Sequence, residues 1–186
     1  AELTRALLQR QIETRPETLV GLLGCRSAAE VQARREELCQ KAYECGLYHD
    51  LGKCAVLMYI DNNARRLLDE EFFCIQSHPR TGAYILNRMG CGRTLALAAL
   101  YHHCYYNGKG GYPNDVPSCP PEIKGIVDAL SVADSLDAAT DNIGRCYNLA
   151  KPFRTLLGEL RAQSGTRYAP TVVALFEDER FCQQLA

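Results

Sequence analysis

The chain has 186 residues, 47% of them hydrophobic, and a formal net charge of −1. That length suits one domain with a good buried core, and the near-neutral balance offers no basic field to attract a nucleic-acid polymer. No apolar run approaches the ~20 residues of a membrane span and no signal peptide opens the chain, so no membrane insertion and a cytoplasmic location are expected. The first residue is Ala, not Met, which fits a piece of something longer. Ten cysteines include no Cys-x-x-Cys pair, and several (Cys39, Cys45, Cys74, Cys182) fall inside helical apolar patterns. They read as thiols packing as small hydrophobes, not as a disulfide framework or zinc ligands.

In chain order, residues 2–13 form an amphipathic helix with Leu3, Leu7, Leu8 and Ile12 on one stripe, interrupted by Pro16. A short apolar segment, Leu19 to Leu23, ends at Gly24. Ser27 and Glu30 make a capping box that starts a long helix through Val31, Leu38, Ala42, Cys45 and Leu47. Gly52 is its expected C-terminal glycine, which puts His49 and Asp50 in the last turn. Residues 55–66 have only a weak pattern. Asp69 is the expected cap of the next helix, with Phe72, Phe73 and Ile75 toward the core. His78 ends it, and Pro79 opens a helix that Gly90 closes. The apolar helix from Gly92 to Cys104 leads to adjacent histidines and a Gly/Pro/Tyr loop over 105–120, long enough to be functional. Pro120-Pro121 starts a helix carrying Ile123, Ile126, Val127, Leu130 and Ala133, with Asp134 at the edge of the stripe. Helices over 152–163 and 170–184 complete an all-α fold.

The chain has four histidines: His49, His78, His102 and His103. Neighbouring side chains on a helix point about 100° apart, so His102 and His103 serve either two ions, an ion and a substrate, or merely a helix end whose dipole favours them. His49-Asp50 taken alone is an ordinary polar helix end. Asp134 beside a core face needs a partner, either a metal or an arginine such as Arg145. Together, four imidazoles and several carboxylates are the mixture that hard and borderline divalent cations prefer.

The motifs His49-Asp50-Leu51-Gly52-Lys53, Ser77-His78-Pro79, His102-His103, Gly111-Tyr112-Pro113 and Val132-Ala133-Asp134 recur in the order of the HD-GYP family. Over roughly residues 40–180 the chain resembles these metal-dependent phosphohydrolases, which degrade cyclic di-GMP. The resemblance implies an HD-domain-like helical bundle over 27–186, with residues 1–26 an N-terminal appendage or remnant. It implies His49, Asp50, His78, His102, His103 and Asp134 as metal ligands, and Lys53 as the residue that steadies substrate phosphate. Tyr112 and Arg145 are its implied substrate contacts, and iron or manganese its metals. Three departures stand out. No histidine precedes His49, where the family has one more ligand, so Glu13 or Glu17 is the candidate replacement. The loop is one residue longer at Lys109-Gly110-Gly111, and Arg145-Cys146-Tyr147-Asn148 keeps one arginine of the usual two.

The expected reaction is hydrolysis of a cyclic dinucleotide phosphodiester, to the linear dinucleotide or GMP, by a metal-activated hydroxide. His49, Asp50 and Asp134 would hold one ion. Asp50, His78, His102 and His103 would hold the other, with Asp50 bridging. The departures point to weak activity. The rival reading is a catalytically weak or inactive regulator whose Gly-Tyr-Pro loop binds a nucleotide or a diguanylate-cyclase-type or sensor domain.

Overall fold

The computed structural model describes residues 1–56, 67–140 and 151–185. The described elements are α1 (Glu2–Thr14), α2 (Ala28–Ala33), α3 (Arg35–Tyr48), α4 (Asp69–Ile75), α5 (His78–Arg88), α6 (Arg93–Tyr101), α7 (Pro121–Thr140), α8 (Phe153–Ala162), α9 (Pro170–Val173) and α10 (Glu179–Leu185). Short 3₁₀ turns join several of them, and the described residues form no strand, as the all-α expectation requires. No helix among them is long and apolar enough to cross a membrane.

The predicted stripe of α1 is realised. Leu7, Leu8 and Ile12 are at most 1% exposed and belong to one hydrophobic cluster with Leu38 and Ala42 of α3, Leu86 of α5, and Ile126 and Leu130 of α7. Residues 1–26 therefore share the core of the residues that follow. α7, 20 residues long with nine of them buried, is the central strut. A satellite cluster, Tyr101, Ile123 and Val127, lies beneath Cys104, Val116 and Cys119 of the long loop.

Four local expectations differ from the structure. The helix expected from residue 28 onward is two, because Arg34 (φ −96°, ψ 16°) leaves helical geometry while its guanidinium donates to the Leu23 carbonyl at 3.0 Å. Ser27 caps α2, its hydroxyl accepting from the Glu30 amide at 3.2 Å, but Glu30 turns to the Arg26 amide, so the box is not reciprocal. In α4, Leu68 and not Asp69 is the N-cap, and Phe72 and Phe73 are 48% and 76% exposed. A seven-residue helix with no buried position gives its apolar residues no core to face; Cys74 is exposed with them. Finally, 170–184 is broken by a 3₁₀ turn and an extended Asp178, whose carboxylate accepts from the Arg180 and Phe181 amides and caps α10. The end of α5 matches its sequence: Gly90 adopts φ +70°, letting the Cys91 amide reach the Leu86 carbonyl and the Gly90 amide reach Asn87. Cysteines 25, 39 and 45 are buried thiols, and the described cysteines are all free.

Candidate metal centre

The sequence puts every ligand-type side chain but Asp134 at or near the end of an element, where the chain changes direction. α3 ends at Tyr48; the His49 amide still bonds to the Cys45 carbonyl at 3.0 Å, and Asp50 then starts the 3₁₀ turn Leu51–Ala55. His78 is the first residue of α5, with Pro79 at the position whose amide needs no partner. His102 caps the C-terminus of α6 and His103 follows it. Asp134 projects from within α7.

Two glycines let these pieces meet. Gly52 is not the helix terminator expected from the sequence, since α3 stops four residues earlier. Its missing side chain is what matters: a Cβ there would lie 1.9 Å from the His78 carbonyl oxygen and 2.5 Å from the Gly82 amide. The turn carrying Asp50 thus lies backbone against backbone on the start of α5. Gly111 has φ +80°, and a Cβ there would be 2.0 Å from the His103 carbonyl. That approach lets the Tyr112 amide donate to the His103 carbonyl at 3.2 Å and sets the Tyr112 ring over His103, with centroids 4.4 Å apart.

The six candidate ligands converge. Asp50, His78, His102 and His103 can each offer one atom within 4.8 Å of the others, and His49, Asp50 and Asp134 form a second such group, with Asp50 common to both. The His78 Nε2 is 3.1 Å from both Asp50 Oδ1 and His102 Nε2. The His49 Nε2 lies 3.4 Å from Asp50 Oδ2 and 3.6 Å from Asp134 Oδ1, and His103 Nδ1 is 3.9 Å from Asp134 Oδ2.

The backbone fixes the tautomers. In His49, His78 and His102, Nδ1 sits 3.0, 2.6 and 2.7 Å from the carbonyl of the residue three earlier (Gly46, Ile75, Ala99). A carbonyl only accepts, so each Nδ1 donates and each neutral ring turns the Nε2 lone pair to the centre. His49 Nε2 and Asp50 Oδ1 are buried with no hydrogen-bond partner, despite the close approaches just given. Lone pairs and a carboxylate facing one another this closely repel unless a cation stands among them.

The ionisation states of His102, His103 and the two carboxylates agree. Burial pushes the His102 imidazole down and His103 to about 2, so both are neutral. Burial would lift the two carboxyls, yet His102 and His78 hold Asp50 far below the usual range and His49 holds Asp134 at about 2. His49 differs: burial opposes its protonation, but the facing carboxylates of Asp134 and Asp50 outweigh it and raise its pKa, so a proton competes with a cation for its Nε2. Anionic carboxylates beside neutral imidazoles are the ligand forms of these groups. The donor set fits a divalent cation.

Lys53 and Tyr112 also lie at this centre. The Lys53 ammonium pairs with Asp50 Oδ2 at 2.8 Å. Burial, with Asp134 and Asp50 adding, raises the Tyr112 hydroxyl, which stays protonated. Arg145 lies outside the described residues. Neither Glu13 nor Glu17 joins the ligand groups: Glu13 is on the exposed face of α1 and pairs with Arg10 and Arg35 at 3.6 Å each, and Glu17 is exposed. Ala1, at the N-cap of α1, and Leu3 and Thr4 within it line the pocket beside His49, Asp50 and Asp134. Thr4 is 1% exposed and its hydroxyl has no partner. Sequence reading missed Thr4, which carries no motif, and the packing roles of Gly52 and Gly111, which look like ordinary turn glycines.

Comparison with known proteins identifies the family. The family profile for the HD domain matches residues 19–139. A cyclic di-GMP phosphodiesterase of Thermotoga maritima is 32% identical over 170 residues, 90% of this chain and 45% of that protein. A cyclic di-GMP phosphodiesterase of Pseudomonas aeruginosa is 34% identical over 126 residues, 65% of this chain and 29% of its own length. A 3'3'-cGAMP-specific phosphodiesterase of Vibrio cholerae is 30% identical over 128 residues, 69% and 27% of the two chains. The chain thus spans less than half the length of these relatives. HD domains are metal-dependent, and the cluster just described could hold metal. With the profile covering well over half the sequence and the same motifs at the converging residues, the chain belongs to the HD domain family and is of the HD-GYP kind.

Proposed function

We propose that this domain is a phosphodiesterase that hydrolyses a cyclic dinucleotide, with cyclic di-GMP its first candidate substrate. The observation that carries the proposal is the convergence of four imidazoles and two carboxylates, with the Nδ1 protons of His49, His78 and His102 turned away from the centre. His49, Asp50 and Asp134 would hold one divalent ion, and Asp50, His78, His102 and His103 a second. Iron or manganese suits that mixture of nitrogen and carboxylate donors. When bound, such ions supply Lewis acidity at phosphorus and acidify water.

The chain's own residues supply the rest. Lys53, held beside Asp50, offsets charge that grows on the phosphoryl oxygens. Tyr112, seated over His103, offers a face for a guanine to stack on. The test is metal analysis of protein purified without chelator, followed by turnover of cyclic di-GMP and of 3'3'-cGAMP. Metal-replete protein that cleaves neither substrate would refute the proposal. It would then favour the rival reading, a weak or inactive regulator of a diguanylate-cyclase-type partner. That reading draws support from Thr4, a poor ligand, standing where α1 meets the first group.

Two expected results concern this site. Lys53→Ala should keep its metal and lose turnover by roughly 10²-fold, the scale of other oxyanion-stabilising groups. A fall in metal content would show that Lys53 serves mainly to position Asp50. The two ions should also differ in retention. The His49 group has three protein donors against four in the other, and water in an open position adds no chelate advantage. Dialysis against a mild chelator, followed stepwise by metal analysis, should release one equivalent well before the second, and added manganese should restore the lost activity. Release of both together would contradict the unequal donor sets.

A further inference from the structure

Beyond the ligand groups, the rim of this centre carries one cation that the proposed chemistry has not used. Arg167 lies in the turn before α9, and three contacts fix its position. Its guanidinium donates to the Ser135 hydroxyl at 3.3 Å, and Ser135 immediately follows Asp134. The same guanidinium stacks over the rings of Tyr168 at 5.1 Å and Tyr105 at 5.9 Å, and Tyr105 is two residues after His103. Its backbone carbonyl accepts from the Tyr106 amide at 3.0 Å, while Thr166 accepts from Asn107 at 3.1 Å, so this turn is tied to the start of the Gly-Tyr-Pro loop.

Arg167 has no carboxylate partner among the described residues, and it is only half-buried. Lys53, by contrast, is already neutralised by Asp50. A guanidinium held by a hydroxyl and two aromatic faces keeps its charge and most of its N–H donors free for an anion. Its turn is bonded to the start of the loop that carries Tyr112, and its side chain to the residue after Asp134. A cyclic dinucleotide brings two phosphodiesters. When one lies at the ligand cluster, the other lies outside it.

We infer that Arg167 binds the second, non-scissile phosphodiester of the substrate and so selects cyclic dinucleotides over simple phosphodiesters. This rests on the phosphodiesterase reading above. Arg167 touches substrate and takes no part in bond cleavage, so its effect belongs in affinity. Three readouts test it on metal-loaded wild type, Arg167→Gln and Arg167→Lys: the Kd for cyclic di-GMP by titration, kcat and KM for cyclic di-GMP, and kcat/KM for bis(4-nitrophenyl) phosphate, which has a single phosphodiester. Arg167→Gln should raise the Kd and KM for cyclic di-GMP about tenfold, the loss of one charge-assisted hydrogen bond. Its kcat and its action on bis(4-nitrophenyl) phosphate should stay within about twofold of wild type, and Arg167→Lys should recover part of the loss. Equal losses on both substrates, with lower metal content or melting temperature, would make Arg167 a strut of the loop and overturn the inference. An unchanged Kd and KM for cyclic di-GMP would overturn it too, while leaving the phosphodiesterase reading intact. Wild-type protein that cleaves bis(4-nitrophenyl) phosphate but neither binds nor cleaves cyclic di-GMP would overturn both.

Discussion

Asp50→Ala is expected to remove most of the bound metal and all phosphodiesterase activity. Asp50 is the one residue common to both ligand groups, with Oδ1 3.1 Å from His78 Nε2 and Oδ2 3.4 Å from His49 Nε2. Deleting it removes a donor from each group and the negative charge that links them, and neither neighbouring imidazole can bridge. The fold should tolerate the change. Asp50 is only half-buried, and a metal-free protein loses with it the repulsion between a carboxylate and three converging lone pairs. The metal-free variant should therefore melt within a few degrees of metal-free wild type. Asp50→Asn, which preserves shape and removes charge, should behave alike. Metal analysis of both variants decides the matter: native metal content in either would remove Asp50 from the bridging position.

Five of the six candidate ligands were legible in the sequence because each stands beside a local signal, which Asp134, inside α7, lacks. Gly52 follows His49-Asp50, Pro79 follows His78, and a glycine-rich loop follows His102-His103. These signals mark ends of elements, and ends are where side chains from different helices can meet. Their convergence was not legible, since it depends on the packing of α3, α5, α6 and α7, and no local pattern specifies an interhelical distance. The family resemblance filled that gap. It did not help where a residue's task is tertiary. Phe72 and Phe73 look like core from spacing alone, yet α4 is too short and too acidic at its start to bury a face. Asp178 looks like a surface position inside a helix but caps a new one. Glu13 and Glu17 are the acidic residues that the resemblance offers in place of the absent histidine. The helix that reaches the centre brings its first turn, Ala1 to Thr4, and turns Glu13 toward Arg10 and Arg35.

Gly52 is the sharpest case, because a correct identification of the residue came with the wrong physical reason. Read locally, it ends a helix by adopting a conformation closed to other residues. In the fold its value is space. A Cβ would meet the His78 carbonyl at 1.9 Å, its carbon at 2.8 Å and the Gly82 amide at 2.5 Å, all backbone atoms of the first turns of α5. No rotamer change relieves such a contact, so Gly52→Ala must move the turn carrying Asp50 away from the helix carrying His78. The overpacking should cost roughly 2–3 kcal/mol, a drop in melting temperature of roughly 4–12 °C for a domain of this size. The chemical effect should be larger than the thermal one. Asp50 and His78 stand 3.1 Å apart across that same contact, and a shift of even 1 Å separates the shared carboxylate from its neighbour. Metal content should fall toward that of Asp50→Ala and turnover with it, in a protein still folded at 25 °C. Gly82→Ala provides the contrast. Its Cβ would meet the Gly52 amide at 3.1 Å, a contact that a few tenths of an ångström relieve, and alanine favours the helix it sits in. That variant should keep its metal and melt near wild type. Were Gly52→Ala to keep full metal content as well, the close approach would have no part in holding the site together.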